Sequence, residues 1–222
     1  MKILLIIVLF SILFFVGAEI YMKSLKKKIQ GERLKMTESF QLAIENGTID
    51  EVNTDGHTPL MVSVLGKFNK SAIKLLDAGS DVNIKGDTGE QVLHLAAHHS
   101  KTAILEQIIQ KGADINNRDM QGCTPIWYAA QNSRADNIKA LINNGASIDT
   151  IDDQFGLSPL MIAAQNGAYE TVDILLENNA DKSIIADNFG TAYDIANNRL
   201  RDNIKNNKMA AKELEEMVEK LK

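Results

Sequence analysis

Hydrophobic positions along the chain fall into three regimes. From Ile3 to Ala18 the chain carries no charge at all, with Lys2 before the run and Glu19 after it. From residue 53 to about 198 the apolar residues recur at helical spacing in short segments, such as Ile73, Leu75 and Leu76, or Ile104, Leu105, Ile108 and Ile109. Stretches rich in Asp, Asn and Gly separate these segments. The final residues place Leu200, Ile204, Ala211, Leu214, Val218 and Leu221 along one helical face among Lys and Glu. The pattern predicts an all-α chain with one N-terminal hydrophobic helix.

The middle regime repeats itself with a period close to 33. Gly56, Gly89, Gly122 and Gly156 fall 33, 33 and 34 residues apart, and Leu60, Leu93, Ile126 and Leu160 follow each by four positions. A fixed period of this size predicts a solenoid whose units cannot bury their apolar faces alone. Within a unit, Thr58-Pro59, Thr124-Pro125 and Ser158-Pro159 are expected to start a helix: the hydroxyl caps the N-terminus, and proline fills the first turn, where no amide donor is needed. Ala96-Ala97, Ala129-Ala130 and Ala163-Ala164 allow close approach of that helix to its neighbours. Gly79, Gly112, Gly145 and, in the last unit, Asn179 suit the left-handed position just past a second helix. The polar stretch that follows must turn the chain outward and back as a hairpin-like finger.

These residues resemble the ankyrin repeat, whose pattern runs roughly Gly-x-Thr-Pro-Leu-His-x-Ala-Ala, then Leu-Leu and Gly-Ala-Asp-x-Asn. The resemblance covers residues 53 to about 198, in units of about 53–85, 86–118, 119–152 and 153–185, with 186–198 opening a capping repeat. It departs from the family at Gln91-Val92, which replaces Thr-Pro, and at Met61, Trp127 and Met161, which replace the histidine that His94 retains. Residues 37–52, with Phe40, Leu42, Ala43, Ile44 and Val52, read as a truncated N-terminal cap, either irregular or a single helix. Residues 199–222 read as a C-terminal capping helix.

Two readings of residues 1–22 stay open. As a signal peptide, the run ends in Val16-Gly17-Ala18, a small-residue cleavage site before Glu19. As a transmembrane helix, Ile3 to Met22 supply the twenty or so residues that span roughly 30 Å of hydrocarbon, with Tyr21 at headgroup level. Lys23, Lys26, Lys27, Lys28, Arg33 and Lys35 follow at once in a basic juxtamembrane spacer, 23–36, and resist translocation. They favour an uncleaved single-pass anchor with the repeats on the cytoplasmic side; the alternative is export after cleavage near Ala18.

Charge narrows the partners. Residues 1–36 carry a net +5, residues 37–198 a net −12 and residues 199–222 a net +2. A body that acidic repels phosphate backbones, so nucleic acid is not the expected partner and a basic or mixed protein surface is. One cysteine, Cys123, precludes an intramolecular disulfide and a thiolate metal site. His94 and His98 lie four apart on one helix but lack a third ligand, and Asp152-Asp153 reads as a solvated turn. Gly86-Asp87-Thr88-Gly89 is a finger turn rather than a phosphate loop. No cofactor, metal or catalytic group is expected, so the chain is not read as an enzyme. Asn46-Gly47-Thr48 and Asn69-Lys70-Ser71 match glycosylation sequons, relevant only in a eukaryotic secretory setting.

What the resemblance implies is a concave surface for a protein partner, made by the fingers and by the first helix of each unit. The fingers would offer Lys85, Asp87, Thr88, Arg118, Met120, Gln121, Ile151, Gln154, Phe155, Asn188 and Phe189, and the helices His98, His99, Gln131, Asn132, Gln165 and Asn166. The expected function is a membrane-tethered binding module, monomeric, acting as an inhibitor, immunity or protective factor; the alternatives are a membrane-surface scaffold whose basic stretch reads lipid, and an exported soluble form.

Overall fold

The computed structural model describes residues 26–99, 101–205 and 211–222. Among these the chain forms eleven helices and no strand, apart from an isolated bridge between Ala186 and Gly190. Helix α1 covers 26–46. Then come α2 (Pro59–Leu65) and α3 (Asn69–Asp77), α4 (Val92–His99) and α5 (Thr102–Gln110), α6 (Pro125–Gln131) and α7 (Ala135–Asn143), α8 (Pro159–Asn166) and α9 (Tyr169–Glu177), α10 (Ala192–Lys205) and α11 (Ala211–Leu221). The even-numbered helices stack in one row and α3, α5, α7, α9 and α11 in another, each pair packing on the next.

The repeat positions explain the stacking. Leu60, Leu93, Ile126 and Leu160 in the first row, and Leu75, Ile108, Leu141 and Leu175 in the second, are buried in one continuous core. Each is covered by the neighbouring unit as well as by its own, so burial propagates along the row. Between units, Asp50, Asn83, Asn116 and Asp149 stand 33 residues apart, and each accepts a backbone N–H from the next unit: Asp81 at 2.9 Å, Asp114 at 3.0 Å, Ser147 at 2.7 Å and Asp181 at 2.9 Å. Gly79, Gly112 and Gly145 end the second helices at φ 93°, 89° and 89°, and Asn179 does so at 64°.

Local expectations needed correction at one cap. Thr58 and Ser158 accept the amides of Met61 and Met161 at 3.2 and 3.3 Å, with proline in the first turn. Thr124 makes no such bond, and its buried hydroxyl finds no partner; its backbone is rotated to φ −102°, against −70° and −80° at the other two. The ends also differ from the domain boundaries drawn on sequence. Helix α1 runs without a break across residues 36 and 37, so spacer and cap are one helix, anchored by the buried Phe40 edge-on against Phe68 at 5.6 Å. At the other end, residues 199–205 complete α10, and a separate α11 buries Leu214, Met217, Val218 and Leu221, so the last unit is a full helix pair. No helix among the described residues is long and apolar enough to cross a membrane. The run assigned as anchor or signal lies outside the described residues.

In the second unit, where Gln91-Val92 stands in place of Thr-Pro, the buried His94 ties the start of α4 to Asn117. Its Nδ1 accepts the Gln91 amide at 3.1 Å and its Nε2 meets the Asn117 carbonyl at 3.0 Å, so Nε2 carries the proton and the ring is neutral. Burial holds this imidazole below the usual histidine range. The unfolded chain takes up a proton at this residue below about pH 6.5 while the folded chain does not, so stability present above that pH is lost as pH falls through it. The melting temperature is expected to drop between pH 7 and 5.5, and His94→Gln, although less stable at pH 7, to show a shallower drop; an equal slope in both would remove His94 from this role.

Candidate functional site

The second, third and fourth fingers each fold back around an acidic side chain that accepts from turn amides. In the third finger Asp119 is buried. Its Oδ1 accepts from the Gln121 and Cys123 amides, both at 2.9 Å, and its Oδ2 from the Tyr128 hydroxyl at 2.7 Å. In the fourth, Asp152 accepts from the amides of Gln154, Phe155 and Leu157 at 3.0, 2.7 and 2.9 Å. In the second, Glu90 accepts from the Thr88 amide and hydroxyl and pairs with His57 across to the first finger at 3.2 Å. With the turns held from inside by these carboxylates, the turns do not depend on the side chains at their tips.

Backbone bonds then join the fingers into one row. The Met120 amide donates to the Thr88 carbonyl at 2.9 Å and the Asp153 amide to the Gln121 carbonyl at 2.8 Å. Gly89 lies so close to the next finger that a Cβ there would stand 3.1 Å from the Met120 nitrogen. Arg118 bridges to the Ile151 carbonyl at 2.9 Å and to Asp153 at 2.6 Å. Phe155 and Phe189 meet edge to face at 5.9 Å, linking the fourth and fifth fingers.

Along that row the exposed side chains are unevenly apolar. Met120 and Ile185 are each 71% exposed, Phe155 46% and Ile151 41%. Lys85, Asp87, Thr88, Arg118, Gln121, Gln154 and Asn188 are exposed beside them, and Phe189 is half-buried. The contact between Phe155 and Phe189 accounts for part of their placement, but Met120 and Ile185 stay open to solvent. Ile185 was missed in the sequence reading although it stands in the same register as Lys85, Arg118 and Ile151, six residues past the turn residue of its unit.

The first-helix surface is more constrained than the tips. Gln131, Gln165 and Asn166 are exposed, while His98, His99 and Asn132 are half-buried. Asn166 donates to the Gln131 carbonyl at 2.8 Å and Arg199 to the Gln165 carbonyl at 2.6 Å, so these positions also bind units together, while Asn132 donates to the Tyr128 carbonyl of its own helix at 3.3 Å. The His98 and His99 rings lie 3.9 Å apart, with Tyr128 edge-on to His98 at 6.0 Å. Burial lowers both imidazoles below the usual range. For His98 the proximity of His99 and Arg134 adds to this, for His99 that of Lys67 and Arg134. The pair is therefore neutral at physiological pH. Trp127 packs between units and donates to the Leu157 carbonyl at 3.1 Å.

Among the described residues no group of three His, Cys, Asp or Glu is arranged to hold a metal ion. Burial, with Asp119 and Asp152 adding, pushes the Cys123 thiol up to about 12, so it is protonated at neutral pH and is a poor nucleophile.

A scan against protein-family models matches the one described as ankyrin repeats (3 copies) over residues 32–119, 66–152 and 93–186. A search of curated proteins returns no match.

Turn carboxylates and tip side chains are expected to respond differently to substitution. Asp119→Ala strands two amides and a buried tyrosine hydroxyl, and should cost about 3 kcal/mol in chemical denaturation. Arg118→Ala removes an exposed pair and should cost about 1 kcal/mol or less. Equal losses would show that Asp119 does not hold the turn.

Proposed function

The chain belongs to the ankyrin repeat family, and from that premise we propose that it holds one protein partner against its row of finger tips and the adjoining first-helix surface. Ankyrin repeats generally mediate protein–protein interaction. The observation that carries the reading here is the exposure of Met120, Ile151, Phe155 and Ile185 along fingers whose turns are held by other residues. Apolar groups exposed among polar ones fit the apolar centre and polar rim of an interface.

The partner fits as a protein with an apolar anchor inside a basic or mixed surface. The net −12 carried by residues 37–198 would speed its encounter with such a surface and repel acidic competitors. Covering an active site or a basic surface needs no chemistry from this chain, which suits an inhibitory, immunity or protective role. In this reading the hydrophobic run, residues 3–22, tethers the module to a membrane as an uncleaved helix, with the basic residues that follow keeping the repeats on the cytoplasmic side. Intact mass of the membrane-extracted chain, with protease access in sealed cells, tests that part: a chain starting at Glu19 or digested from outside would replace the anchor by export.

The triple variant Met120→Ala, Ile151→Ala, Ile185→Ala tests the surface. Affinity for the partner recovered by capture from native cells should fall about 10- to 100-fold, with the melting temperature little changed. Undiminished binding by a folded triple variant would move the interface elsewhere.

A further inference from the structure

The apolar finger tips leave the far end of the first helices unexplained. There α4 closes on His98 and His99, whose rings lie 3.9 Å apart. The turns of the units on either side bring up two exposed cations, Lys67 between α2 and α3, and Arg134 just before α7. The Arg134 Nε donates to the His98 carbonyl at 3.3 Å, which holds the guanidinium beside the pair. Lys67 and Arg134 stand close enough to His99, and Arg134 to His98, for their charges to oppose protonation of the rings.

What this corner lacks is an acid. Neither ring, nor Lys67, nor Arg134, has an ion-pair partner among the described residues, whereas His57, Lys111, Arg118, Lys139 and Lys220 each have one. Asp136 and Glu170 line a hollow with Arg134 that neither histidine lines, and Glu170 is taken by Lys139 at 3.6 Å. The remaining neighbours do not supply a counter-ion either. Tyr128 of α6, edge-on to His98, gives its hydroxyl to Asp119, and Lys101, just before α5, is a further exposed cation. Like charges gathered without an acid, in a body of net −12, oppose folding rather than assist it.

The two rings have different parts to play. His98 Nδ1 is buried without a partner, so protonating it would bury an unpaired N–H; the proton sits instead on Nε2, which is open to an outside acceptor. His99 has no such constraint and is the ring free to gain charge.

We propose that this corner receives one aspartate or glutamate side chain of the protein partner, its carboxylate facing Lys67, His99 and Arg134 and accepting from His98 Nε2, in a contact that tightens as pH falls. This deepens the finger-row reading, on which it rests for the side of the stack the partner occupies. It requires a mixed partner surface, with an apolar anchor at the tips and one acid at the far end of the first helices. A carboxylate there offsets the repulsion that keeps His99 neutral, so binding takes up a proton at that ring. Affinity therefore rises as pH falls through the titration of the bound His99, while the carboxylate, with a free pKa of about 4, stays ionised.

The chain has four histidines, so the full chain with ring-labelled histidine, in mild zwitterionic detergent, gives four ring signals by NMR, with His57 and His94 as internal references. The probes are the peptide acetyl-Gly-Ser-Glu-Glu-Ser-Gly-amide, its Gln-Gln counterpart and inorganic phosphate. Each is titrated to about 20 mM at low salt, because an exposed ion-pair contact binds weakly. The acidic peptide is expected to move the His98 and His99 signals saturably, to raise the His99 titration midpoint, and to bind about threefold to tenfold more tightly at pH 5.5 than at pH 7.5. The Gln-Gln peptide should move neither signal. Lys67→Gln and Arg134→Gln should each weaken binding about twofold to fivefold with the melting temperature little changed, and His99→Gln should remove the pH dependence. Equal shifts with both peptides, affinity unchanged in both Lys67→Gln and Arg134→Gln, or affinity falling toward pH 5.5 would each overturn the proposal. So would movement by phosphate alone, which would make the corner a site for a free anion. The titration needs no contact at the finger tips, so its failure leaves that reading to the triple variant, and failure there leaves the titration unaffected.

Discussion

No helix pair in this chain can bury its own apolar face, and the rest of the structure follows from that constraint. Leu93 and Ile126 are covered only because units stand on either side of them, so the 33-residue period is a packing requirement written into sequence. A stack built this way must end somewhere. Here it ends in a complete helix pair at the C-terminus, where α11 seals the last unit with Leu214, Met217, Val218 and Leu221. At the N-terminus it ends in a single long helix, where Phe40 covers the edge. Stability is therefore a sum of neighbour interfaces, and a substitution in a central unit is felt on both of its sides.

Polar groups divide into those that hold the stack and those left over. Asp119, Asp152 and Glu90 tie the finger turns, and Asp50, Asn83, Asn116 and Asp149 stitch each unit to the next. His94 ties the start of α4 to Asn117. Because these residues satisfy the backbone from inside, Met120 and Ile185 stand open to solvent at the tips, and the same scaffold is free to vary there for recognition.

The stack was legible in the sequence because its signals repeat. Spacing of Gly56, Gly89, Gly122 and Gly156, and the Gly-Ala-Asp turns, each state the same register several times. What was not legible depends on single positions or on the ends, where repetition gives no help. Thr124-Pro125 reads like the other two caps, yet a rotation at its φ leaves the hydroxyl unbonded. The continuity of α1 was masked by the change from basic to acidic composition near residues 36 and 37, although no helix breaker stands there. Ile185 sat in a register already noted for Lys85, Arg118 and Ile151, and was passed over beside the more conspicuous Phe189. Among the candidate residues, exposure could be read from register, but the engagement of Arg118, Gln131 and Gln165 in bonds between units could not.

Hydrogen exchange of the full chain, with and without its captured partner, tests the central claim most directly. The account predicts that binding slows exchange at the tips, residues 118–122, 151–156 and 185–190, and at the exposed ends of α4, α6 and α8. Protection confined to α9 and α11, or no change at any finger, would contradict it.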